Sequence, residues 1–76
     1  MNKEELQQQI DALEFTETLD TVIALCQEVI DDTKRIQVDN NKAAAQRCRT
    51  NLLRLNKVRL HYRKQSIKEL EGHGNN

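Results

Sequence analysis

Apolar residues in the second half of the chain recur at helical spacing. Ala45, Cys48, Leu52, Leu55, Tyr62, Ile67 and Leu70 fall close to the helical period and form one stripe, which Val58 and Leu60 widen. The one internal cluster of turn formers, Asp39-Asn40-Asn41, stands just before it, and Asn40 or Asn41 can cap the helix. Lys42-Ala43-Ala44-Ala45-Gln46-Arg47 then supplies strong helix formers. Gly72 suits the left-handed position that ends a helix. The pattern predicts a helix over about 41–71 and a frayed tail over 72–76.

The first half is helical by the same criterion, but its apolar positions make two ridges. Leu6, Ile10 and Leu13 form the first; Phe15, Leu19, Val22, Cys26, Val29, Ile30 and Ile36 form the second, with Ile23 beside it. On a continuous wheel the two ridges lie nearly opposite each other. Either the helix, about 3–37, breaks near 15–18, with Thr16 or Thr18 capping a new start, or it continues and shows apolar faces to two partners. Asn2 and Glu5 fit a capping box at the start. The expected architecture is all-α: one domain over 1–76, an antiparallel helical hairpin that self-associates into a bundle. Leu6, Ile10 and Leu13 are the expected oligomerisation residues, because the hairpin alone leaves them short of a surface. A core this small contributes only about 3–5 kcal/mol, which favours such association.

Charge changes the picture. The chain is formally neutral, with 12 Lys/Arg and 12 Asp/Glu. Yet the positive residues up to position 39 are only Lys3, Lys34 and Arg35, and the negative residues beyond it are only Glu69 and Glu71. Such asymmetry signals pairing between the halves, or a nucleic-acid or membrane surface in the basic half. Folding back at Asn40 makes facing residue numbers total roughly 80 (an offset fixed by the turn) and sets Asp20 beside Arg59, Glu17 beside Arg63, and Asp31 beside Arg49. Lys42, Arg47, Arg54, Lys57, Lys64 and Lys68 gather on the opposite side of the second helix. They project along about 40 Å at ~1.5 Å per residue, long enough to follow a phosphate backbone. Tyr62 is expected in the core, so no side chain is offered for base stacking, and binding would tolerate any sequence.

Other chemistries find little support. The chain has no glycine-rich loop and no Ser-His-Asp or Cys-His arrangement, so an enzyme is not expected. Cys26, Cys48, His61 and His73 lack metal-ligand spacing, so neither metal nor cofactor is expected. Both cysteines fall on predicted core stripes and read as small buried hydrophobes; in the hairpin register Cys48 faces the Asp31–Asp32 region, so no intrachain disulfide is expected. No apolar run approaches membrane-spanning length, and the N-terminus lacks the pattern of a secretory signal, which makes a cytoplasmic protein with reduced cysteines the default.

The segment Asn41-Lys42-Ala43-Ala44-Ala45-Gln46-Arg47-Cys48-Arg49-Thr50, with Leu55-Asn56-Lys57-Val58 and Tyr62-Arg63-Lys64-Gln65-Ser66-Ile67-Lys68, resembles the linker-histone-like nucleoproteins of chlamydiae and their relatives in other bacteria. The likeness covers about 41–72 well and 19–40 as a similar helical stretch. It implies a nucleoid-associated protein that binds and compacts double-stranded DNA and self-associates through its helical region. Carried over by position, it implies Lys42, Arg47, Arg49, Lys57, Arg63, Lys64 and Lys68 as DNA contacts, to which the charge pattern adds Arg54. The chlamydial proteins continue into a long Lys/Ala-rich tail. This sequence reads as a tailless member, with Asn40 where the family usually has Gly and with a more acidic first helix. Two alternatives stand beside DNA binding: a helical adaptor that binds another protein without nucleic acid, and a small regulator that sequesters a basic partner on the acidic helix. No membrane and no small-molecule substrate is expected as partner.

Overall fold

A computed structural model describes residues 3–71 and is all-α. It has three helices, α1 (Lys3–Asp11), α2 (Phe15–Asp39) and α3 (Lys42–Ser66), and α3 winds on into a π-helical turn, Ile67–Glu71. The expected capping box at Asn2, the stop at Gly72 and the tail beyond it lie outside the described residues.

The first helical run breaks three residues earlier than the pattern suggested, and the cap is different. Glu14 (φ −75°, ψ 164°) is the extended residue before α2, and it exchanges capping-box hydrogen bonds with Glu17, whose Oε1 accepts the Glu14 N–H at 2.9 Å. Thr16 and Thr18 take no part as caps. Thr18 instead donates its hydroxyl to the Glu14 carbonyl at 3.1 Å and is wholly buried.

At the other end, Asn40 takes the left-handed conformation (φ 55°, ψ 40°) and returns its N–H to the Ile36 carbonyl at 2.9 Å. Asn is one of the few side-chain-bearing residues that tolerates this region. Asn41 follows as the cap of α3, its Oδ1 accepting the Ala44 N–H at 3.0 Å. Two residues therefore reverse the chain. Ala44, with no exposed surface, sits where the helices leave the turn and has room for a methyl group only.

α2 and α3 pack along each other as antiparallel neighbours. Asp32 bonds Arg47 and Thr33 meets Cys48, so facing residue numbers total about 80. The seam runs through Thr18, Val22, Leu25, Val29, Asp32 and Ile36 of α2 and Ala44, Cys48, Asn51, Leu55, Val58 and Gln65 of α3, all buried or half-buried. Phe15, Leu19, Thr21, Ala45, Lys57, His61 and Ser66 are half-buried beside it. Steps of four and three alternate along α2 and along α3 as far as Val58, and Gln65 follows one heptad later, which is a seven-residue repeat with 3.5 residues per turn. Val58, 2 % exposed, is its most completely enclosed large apolar side chain.

This seam differs from the expected stripes. Leu52 is 51 % exposed and Ile23 67 %; Cys26, Ile30, Leu60, Tyr62, Ile67 and Leu70 are exposed as well. Thr18, Asp32, Asn51 and Gln65 hold seam positions that a search for apolar residues passes over. The expected pairs Asp20–Arg59, Glu17–Arg63 and Asp31–Arg49 do not form ion pairs among the described residues. Glu17 is committed to its cap, and Asp31 accepts a hydrogen bond from Gln27 at 3.0 Å on its own helix.

α1 folds back against the far end of α3. Ile10 is 6 % exposed, and Leu6 and Leu13 are half-buried, so the first ridge is largely covered within the chain. Two side chains of α3 tie this junction. Gln65 Nε2 donates to the Leu13 carbonyl at 2.8 Å and His61 Nε2 donates to the same oxygen at 2.9 Å. A carbonyl only accepts, so His61 carries a proton on Nε2. Gln65 Oε1 is buried without a hydrogen-bond partner among the described residues, at a cost of about 1–3 kcal/mol, which weakens the junction.

Candidate nucleic-acid interface

The seam sorts the cations of α3 into two edges. Arg47, Arg54, Lys57 and Lys64 each stand one residue before a seam position or its continuation, at Cys48, Leu55, Val58 and Gln65. Lys68 lies three heptads beyond Arg47 and so shares its side. These five residues form one line about 31 Å long, at ~1.5 Å per residue. Lys42, Arg49 and Arg63 occupy a single heptad position on the other edge, where Arg59 also lies. The expected DNA contacts therefore do not make a single row. Five stand together, and three stand apart.

Because the helices are right-handed and antiparallel, residues that precede seam positions on α2 share the side used by those on α3. Glu17, Thr21, Ala24, Glu28, Asp31 and Arg35 are those residues. An open groove of about 410 Å³ runs along this edge between the helices, lined by Glu28 from α2 and by Arg47, Thr50, Asn51 and Arg54 among others from α3. One wall is cationic; the other brings Glu28 into the groove, with Glu17, Asp31 and Arg35 along the same side of α2.

The best-ordered electrostatic feature of this edge is a three-residue node. Asp32, only 3 % exposed, accepts hydrogen bonds from Arg47 Nη2 at 2.9 Å, Arg47 Nε at 3.3 Å and Arg35 Nη1 at 2.9 Å. Arg47 uses two nitrogens in the forked geometry that matches a carboxylate. Its hydrogen bond, with help from Arg35, holds the Asp32 carboxyl below its ordinary value despite the opposing effect of burial. The same contact raises Arg47. Asp32 lies in the seam itself, whereas Glu28 and Asp31 remain exposed. Arg35 was not among the expected contacts. Its sequence signals were the three-residue step from Asp32, which places both on one helix face, and its position just before Ile36.

The opposite edge is apolar at its centre. Leu19, Ile23, Cys26 and Ile30 each follow a seam position of α2, and Leu52 follows Asn51 on α3, so they form one band on the side away from the five-cation line. Arg49 and Arg63 flank it. Cys26 belongs to this exposed band rather than to the core, whereas Cys48 is buried, with Thr33 Oγ1 3.6 Å from its sulfur; both are free thiols.

Among the described residues no group of His, Cys, Asp and Glu is placed to hold a metal ion, and no helix is long and apolar enough to cross a membrane. Compared with known proteins, residues 16–72 match the model of a family described as histone H1-like protein Hc1, about three quarters of the chain. No curated protein and no solved structure matches.

Proposed function

The chain belongs to the histone H1-like protein Hc1 family, and from that premise we propose that it is a nucleoid protein that binds double-stranded DNA without strong sequence preference. The observation that carries this reading is the alignment of Arg47, Arg54, Lys57, Lys64 and Lys68 along one edge of the hairpin. Cations at three-, four- and seven-residue steps along one helix edge meet phosphates, not base edges. A site of this kind positions a duplex and reads nothing from it. No catalytic step is proposed for any residue.

Self-association is the second part of the proposal. Leu6, Ile10 and Leu13 were the expected contact, and α1 already covers much of that ridge against α3. The surface better suited to a second copy is the band of Leu19, Ile23, Cys26, Ile30 and Leu52, where Ile23, Ile30 and Leu52 stand in water and Leu19 is half-buried. Lys42, Arg49 and Arg63 beside it can meet the acidic α2 of the other copy, or add to DNA binding from an assembled surface.

Salt-dependent titration with two unrelated duplexes tests the reading. A line of five cations neutralising about three to five phosphates gives a log–log slope of about −3 to −4.5, at ~0.9 per phosphate, with similar affinities for both sequences. Replacing Arg54, Lys57 and Lys64 together by Gln should abolish binding while light scattering shows the same assembly state. An adaptor that binds another protein through the apolar band predicts the reverse: no duplex affinity in dilute salt, and no effect of the triple substitution.

A further inference from the structure

We infer that Arg35 and Arg47 form a two-guanidinium fork across the helices that takes a single phosphate group, with Asp32 as the positioning residue beneath it. The inference rests on the DNA-binding reading for its natural ligand, a backbone phosphate of the duplex. The geometry is set by one oxygen. Arg35 Nη1 and Arg47 Nη2 each lie 2.9 Å from Asp32 Oδ1, so these two nitrogens are at most twice that distance apart. Guanidinium groups brought so close from separate helices ordinarily repel each other; the shared carboxylate is what holds them together.

The fork keeps donors to spare. A guanidinium has five N–H bonds. Arg47 commits Nε and one Nη2 hydrogen to Asp32, and Arg35 commits one Nη1 hydrogen. The arginine side chains remain 59 % and 52 % exposed, while that of Asp32 is 5 % exposed. An incoming phosphate therefore meets the guanidiniums and not the carboxylate. The node carries a net charge of +1, and its side chains are already ordered before the ligand arrives, which lowers the entropic cost of binding. The fork opens beside the groove lined by Arg47, Thr50 and Arg54, so it continues the cationic line onto α2.

Shared use of one phosphate has a signature that two independent contacts lack. Arg35→Gln and Arg47→Gln should each cut the salt slope of duplex binding by about 0.9, equivalent to about eightfold weaker binding at ~0.1 M salt, and the double variant should lose little more. Arg35→Lys, which keeps the charge and loses the fork, should recover only part of the affinity. A double variant that loses nearly twice the slope, or an Arg35→Gln protein with wild-type slope and affinity, overturns the fork. Because the double variant leaves Asp32 buried without partners, it is compared with one that also carries Asp32→Asn, with helix content checked by circular dichroism. Inorganic phosphate separates the two hypotheses. In a titration followed by nitrogen-15 NMR of the arginine Nε–H groups, Arg35 and Arg47 should shift together and saturate at one midpoint. That result with a wild-type protein that ignores duplex DNA retains the fork and discards DNA as its ligand; no shift at either arginine refutes the fork even where DNA binds.

Discussion

Replacing Asn51 by Leu should stabilise this protein. Asn51 is 5 % exposed in the middle of the α2–α3 seam, and Arg54 Nη1 donates to its Oδ1 only at a long 3.5 Å. Burying a leucine side chain is worth about 1.5–3 kcal/mol relative to leaving it in water, and relief of the amide's desolvation adds to this. Against it stand the lost Arg54 contact, about 0.5 kcal/mol for so long a bond, and the strain of fitting a branched chain into a site shaped around an amide. The net expectation is about 1–2 kcal/mol. For a domain of this size each kcal/mol moves the midpoint by about 4–8 °C, so the thermal midpoint should rise by about 4–16 °C. Thermal and urea unfolding followed by circular dichroism at two protein concentrations measures this and separates folding from assembly. A midpoint that stays or falls, with a single cooperative transition and an unchanged urea slope, would show that Asn51 is not a seam residue and that the heptad description of α3 is wrong. The substitution releases Arg54 from its contact but removes no charge from the cationic edge, so the salt slope of DNA binding should not move.

Three other outcomes are expected. Arg47, and after it Arg35, depress the Asp32 carboxyl in the folded state, so that node's contribution is complete above the ordinary carboxylate value of 3.8 and is lost as pH falls through the lower folded value. Acid unfolding curves of the wild type should therefore bend downward below about pH 4, and Asp32→Asn should flatten that part of the curve. His61→Ala removes one of the two donors to the Leu13 carbonyl; hydrogen exchange should quicken over α1 and leave α2 and the first half of α3 unchanged. Glu28 is the acid in the cationic groove, so Glu28→Gln should tighten duplex binding by up to about fivefold, read by fluorescence anisotropy in dilute salt; unchanged or weaker binding would place the duplex elsewhere.

Much of this fold was legible in the order of residues. The Asn40-Asn41 reversal, the start of α3 and the helical character of both halves follow from turn chemistry and period. What the pattern hid follows from two physical causes. The seam repeats every 3.5 residues, and a wheel drawn at 3.6 drifts by about 20° per heptad, enough to carry a predicted stripe onto Leu52 and Ile67 and away from Asn51 and Gln65. In addition, polar residues occupy several seam positions, two of them satisfied there by hydrogen bonds. Thr18 gives its hydroxyl to Glu14, and Asp32 has two arginines, so neither shows the apolarity by which a core is sought. The cationic row was visible as charge, but which arginines share an edge depends on the seam, and Arg47 changed from a free cation to a partner of Asp32. Glu14 as a cap was missed for a simpler reason: Thr16 and Thr18 are better capping residues by preference, and the exchange of bonds with Glu17 decided the matter locally.

The apolar band and the five-cation line occupy opposite sides of one thin pair of helices. Two copies stacked through their bands would turn their lysines and arginines outward in contrary directions, giving the pair two separate berths for a double helix. Such a pair clips distant stretches of chromosome to each other, whereas a protein with both features on one side would only coat a single stretch.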